Sequence, residues 1–74
     1  MAEQLHTALT ILRRKQVEAR TGLSRSTIYF RVARGEFPAP ISLGVRAVGW
    51  LETDVQSWLE GRIAKSRGGN HVTP

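Results

Sequence analysis

Cysteine is absent from this 74-residue chain, so neither a disulfide nor a thiolate-ligated zinc can hold its fold together. Histidine is scarce: His6 and His71 lie near opposite ends and make no convincing metal pair. No metal and no cofactor are expected. No stretch approaches the roughly 18–20 apolar residues of a membrane span. The first twelve residues also lack the basic start and long apolar run of a signal peptide. The sequence therefore reads as a soluble, cytoplasmic protein with no membrane partner. It contains no internal repeat and no low-complexity run. A chain this short buries a small share of its surface, and an enzyme pocket is hard to house in it. Ser24 and Ser26 have no histidine within the folded segment to act as base. Glu52 and Asp54 fall at a helix start, where capping and dipole effects account for them. No enzymatic activity is expected.

What the chain does have is positive charge, concentrated in one place. The net charge is +5. Residues 13–34 hold Arg13, Arg14, Lys15, Arg20, Arg25, Arg31 and Arg34 against Glu18 alone, whereas residues 35–74 are balanced. A clustered positive segment attracts polyanions, either nucleic acid or an acidic surface.

Patterning divides the chain into a weakly ordered N-terminal tail (1–10), a folded domain (11–67) and a flexible C-terminal tail (68–74). "LRRKQVEARTG" contains good helix formers, with Val17 and Ala19 as inward positions and Leu12 leading in, and stops at Gly22. Ser24 then suits an N-cap for a second helix, in which Ile28 and Val32 share the inward face with Leu23 closing the turn. Gly35 ends that helix. Two short helices separated by Gly22, Leu23 and Ser24 read as a helix-turn-helix. Pro38 and Pro40 forbid further helix. Ile41 and Leu43, then Val48 and Trp50, alternate as the strands of a β-hairpin turning over 44–47. Thr53 and Gln56 form a T-x-x-Q capping box for a last helix with a Val55, Trp58, Leu59, Ile63 stripe. Trp50 and Trp58 fall on apolar stripes and are assigned to packing. The fold class is mainly α with a small β-hairpin: a helix-turn-helix, a two-stranded wing and a C-terminal helix.

On the second helix, Ser26, Phe30 and Arg34 point outward, flanked by Arg25, Thr27, Tyr29 and Arg31. Arginine grips guanine bidentately, hydroxyls bond to bases or phosphates, and a ring edge meets a thymine methyl. The first turn of such a helix, here Arg25, Ser26 and Thr27 behind Ser24, reaches base edges. Arg46 lies in the hairpin turn, placed to meet phosphates or a minor groove. Arg13, Arg14 and Lys15 start the first helix and are candidates for phosphate contact, against the reading of a solvated charge run. The competing reading is a protein-interaction module that presents Tyr29 and Phe30 to an acidic partner.

The stretch from Leu12 to Ala64, with "TGLSRSTIY", "GEFPAPISLG" and "RAVGW" in order, resembles the AlpA family, grouped with the MerR-like winged helices and the small excisionases. The resemblance implies a DNA-binding protein of a phage, prophage or integrating element. Such a protein regulates transcription or, as an excisionase, bends attachment-site DNA and directs an integrase. It places Arg25, Ser26, Thr27 and Tyr29 at the start of the recognition helix and Arg46 on the wing. Partners implied are operator or attachment-site duplexes with repeated sites, several copies assembling on DNA, and an integrase, in the nucleoid of a bacterial host. One departure is Arg13, where family members often carry a Ser or Thr cap.

Overall fold

A computed structural model describes residues 9–70, with side chains for 9–68. Residues 1–8 and 71–74, with both histidines and most of the two expected tails, lie outside the described residues. The elements are β1 (Ile11–Leu12), α1 (Arg14–Thr21), α2 (Arg25–Ala33), β2 (Ile41–Gly44), β3 (Ala47–Leu51) and α3 (Glu52–Asn70). This is a winged helix-turn-helix, mainly α with a small antiparallel sheet.

Local chemistry sets the helix ends. At the end of α1, Gly22 takes a left-handed φ of 77° and its amide donates to the Glu18 carbonyl at 2.7 Å. A side chain with a Cβ rarely adopts that conformation. The Thr21 hydroxyl donates to the Val17 carbonyl and accepts from the Leu23 amide, wiring the turn. The Ser24 hydroxyl accepts from the Thr27 amide and caps α2 as the sequence implies.

Three features differ from the sequence reading. Residues 11–12, taken as the lead into α1, form a short strand that pairs antiparallel with β3, Ile11 opposite Leu51 and Leu12 opposite Trp50. The sheet therefore has three strands in the order β1-β3-β2. Helix α3 begins at Glu52, directly out of β3, and the Glu52 amide donates to the Thr10 carbonyl at 2.8 Å. Thr53 thus lies inside the helix and cannot cap it, and the Gln56 amide group donates to Glu60 instead of completing a capping box. The helix also runs to Asn70, three residues past the boundary drawn at 67.

The core takes one buried side chain from each of six segments, β1, α1, α2, the loop before β2, β3 and α3: Leu12, Val17, Ile28, Phe37, Trp50 and Val55. Leu23, Val32, Val48, Trp58 and Leu59 pack around them. Ala19 and Ile63, expected to face inward, are exposed. Ala19 shares α1 with a single core contact at Val17, and Ile63 lies beyond the part of α3 that meets the sheet. Phe37 was not anticipated. It meets Trp58 edge-on at 4.8 Å between ring centroids. The two indoles fix its loop, Trp58 donating to the Glu36 carbonyl (2.9 Å) and Trp50 to the Pro38 carbonyl (2.8 Å). Each indole N–H thus gains the partner that burial demands.

The wing is β2 and β3 joined through Val45 and Arg46. All four residues of β2 are exposed, so the strand is held by its ladder to β3, with an extra residue bulging between Ser42 and Gly44. Beneath it, Gly49 has no room for a Cβ, which would lie 2.5 Å from Ile11 Cγ2 and 3.1 Å from Leu43 Cδ1. These two side chains close over the strand because residue 49 is glycine.

Candidate nucleic-acid interface

Helix α2 turns by about 100° per residue, so Ile28, Tyr29 and Phe30 point in three directions. Ile28 is fully buried. Tyr29 is 39% exposed and rests against Trp50, with ring centroids 6.1 Å apart. Phe30 is 60% exposed, and the Arg34 guanidinium lies over its ring at 5.3 Å. Arg34 also donates to Glu36 at 3.2 Å. The two aromatics therefore do not form one face. Tyr29 is braced by the core, whereas Phe30, Arg34 and Glu36 engage one another.

The first turn of α2 divides in the same way. Ser24 and Thr27 hydroxyls bond to each other at 3.0 Å within the cap. The side chains of Arg25 and Ser26 are exposed and make no hydrogen bond or ion pair with described residues; that of Arg31, a half-buried residue, makes none either. Their donors are available to a ligand.

Beside this helix, Arg13, Arg14, Lys15, Tyr29, Arg46 and Val48 line a cleft of about 400 Å³. It brings together the start of α1, the middle of α2 and the wing. Four of its residues, Arg14, Lys15, Tyr29 and Arg46, are site candidates from the sequence; Ser24, Arg25, Ser26, Thr27, Phe30, Arg31 and Arg34 lie outside it. Arg46 holds a left-handed φ of 58°, the one such non-glycine among the described residues. Its neighbour at the wing tip, Val45, is 92% exposed. Arg14 pairs with Glu18 at 2.6 Å.

Arg13, grouped with Arg14 and Lys15 by the sequence, also lines the cleft. It occupies the N-cap of α1, where an arginine side chain has only donors and cannot accept a backbone amide. The Gln16 side chain accepts the Arg13 amide at 2.8 Å in the manner of half a capping box. The Arg13 guanidinium instead crosses to the wing, where Nε donates to the Val48 carbonyl at 3.1 Å. The departure from a Ser or Thr cap was visible in the sequence, but its partner 35 residues away was not.

The described residues hold no cluster of His, Cys, Asp or Glu able to bind a metal ion, and no helix long and apolar enough to cross a membrane. A second groove, of about 710 Å³, is lined by Glu36, Phe37, Asp54 and Trp58 among others and carries acids instead of cations.

The family model described as prophage CP4-57 regulatory protein (AlpA) matches residues 10–63. An uncharacterized protein of Enterobacteria phage P4, ORF88, is 48% identical over 58 residues, which cover 78% of this chain and 66% of that protein. The DNA-binding transcriptional activator AlpA of Escherichia coli K12 is 38% identical over 61 residues, covering 74% of this chain and 87% of that protein. The chain thus spans just under two thirds of the phage relative and most of the bacterial one.

Proposed function

The chain belongs to the AlpA family of prophage regulatory proteins, and from that premise we propose that it binds a specific site in double-stranded DNA and regulates transcription in a phage or integrative element. Helix α2 enters the major groove with Arg25 and Ser26 leading, and the wing carries Arg46 to the adjacent backbone or minor groove. The observation that carries this reading is the set of cations whose side chains have no partner among the described residues, Arg25 on α2 with Lys15 and Arg46 in the cleft, on one basic segment and its wing. A single module of this size covers a short site, so useful specificity calls for several copies on repeated sites. The same interface serves an excisionase if those sites flank an integrase crossover, with the integrase as partner.

Arg25→Ala tests the base-reading role. Its expected cost is about 1–3 kcal/mol on the preferred site and much less on random duplex, measured by titration at fixed salt after footprinting has located the site. An equal loss on both would remove Arg25 from base reading and leave it a phosphate contact.

A further inference from the structure

We propose that the cleft between α1 and the wing is the seat of one DNA backbone phosphate, and that Arg13 is both a ligand of that phosphate and the positioning residue that fixes the wing beside it. The proposal rests on the DNA-binding reading and adds to it a stoichiometry, one phosphate shared by α1 and the wing, and a positioning role for Arg13.

The cleft offers one kind of chemistry. Arg13, Arg14 and Lys15 present donors only, as does Arg46, and the Tyr29 hydroxyl adds one more. An anion with several acceptor oxygens suits such a wall, because each oxygen can accept from more than one of these donors. The cations are of two kinds. Arg13 and Arg14 are oriented by protein partners, the Val48 carbonyl and Glu18. Lys15 and Arg46 have no hydrogen bond or ion pair with described residues. Two fixed walls with two free cations can close on an oxygen cluster without first breaking a contact.

Arg13 has a second consequence. Its Nε bond to Val48 leaves the guanidinium's terminal nitrogens without a hydrogen bond to described residues, and it ties the helix-turn-helix to a wing whose outer strand buries nothing. A phosphate held there would touch both units, so helix and wing would register on the duplex together.

A double-mutant cycle with ethylation interference is the test, using Arg13→Gln and Arg46→Asn, since asparagine tolerates the left-handed backbone at 46. Each single change is expected to weaken binding roughly tenfold on every duplex, specific or random. Because both act on one phosphate, the double variant loses far less than the product of the two. Its salt dependence becomes shallower by about 0.9 in log–log slope. One phosphate per site, whose ethylation hinders the wild type, becomes silent in the double variant. Losses that multiply, with the slope falling by about 1.8, would mean two separate phosphates and overturn the single seat. Binding unchanged in both variants would overturn the site itself. If Arg13→Gln lowers the folded fraction in a thermal melt, Arg46→Asn with ethylation interference gives the same decision. Titration with inorganic phosphate alone, followed by the amide shifts of residues 13–15 and 46, separates the sources. Saturation at submillimolar phosphate would make this a free-phosphate site, contrary to the proposal. A wild type that binds no preferred duplex in the footprint overturns the DNA reading beneath it.

Discussion

Helix α3 places Glu52 and Asp54 in its first turn and Arg67 in its last, the arrangement that the helix dipole favours. Helices α1 and α2 carry no acid in their first turns and open instead on Arg14 and Lys15, and on Arg25. Each misplaced cation costs about 0.3–1 kcal/mol at the positive end of a helix. The helix that serves packing thus obeys the electrostatic rule at both ends, and the two helices of the proposed interface break it at their first turns while keeping Arg20 and Arg31 in their last. Glu18 compensates Arg14, but the side chains of Lys15 and Arg25 have no partner among the described residues, and a local rule broken in that way points to a partner outside. A polyanion laid across the starts of α1 and α2 is the partner that reverses the sign of the cost.

That contrast can be broken most severely by charge reversal at the start of α2. Arg25→Glu is expected to weaken DNA binding by about 3 kcal/mol, through a lost contact and a like-charge clash. The same change supplies the first-turn acid that α2 lacks and raises folding stability by up to about 1 kcal/mol. Binding isotherms and denaturant melts on one preparation check the opposite signs; a fall in both would show that Arg25 supports the fold. The wing gives a milder version. Arg46→Gly relieves a left-handed side-chain conformation and is expected to stabilise the domain by about 1 kcal/mol. Its DNA affinity should drop on all sequences alike. In α3 the smallest effect is expected, and in one observable only. Asp54→Asn removes a favourable dipole contact and lowers stability by about 0.5 kcal/mol, with DNA affinity unchanged in the same titration.

The helix-turn-helix was legible because its determinants are local. Gly22 and Ser24 stand next to the turn they make, and Ile28 with Val32 repeat at helical spacing. The hairpin was legible from Pro38 and Pro40 followed by alternation. Strand β1 was not, because two residues carry no period and their partners, Trp50 and Leu51, lie far along the chain. The T-x-x-Q pattern at 53–56 misled for the same reason: a contact from Thr10 starts α3 a turn's fraction earlier than any local cap could. Phe37 sits alone before a proline, so nothing in its neighbourhood marks it as core. For the interface, residue types on α2 were readable from spacing. The sequence did not reveal which of them the fold leaves free, because Arg34 is paired by Glu36 and Ser24 by Thr27, and it could not place Arg13 against the wing.

The core, built of one buried side chain from each of six segments, leaves the domain without redundancy. Full burial of such a side chain is worth about 1.5–3 kcal/mol, a sizeable share of the net stability of a small domain. No element has a second interior residue of comparable burial to take over, so the interior must be inherited as a set. Apart from Tyr29, which rests against Trp50, the residues facing the proposed ligand stand apart from that set. Arg25, Ser26 and Lys15 are exposed and touch none of the six buried side chains by hydrogen bond or ion pair. A change of target site therefore requires no accompanying change inside, and one frame can be reissued with new binding preferences by altering a few surface positions.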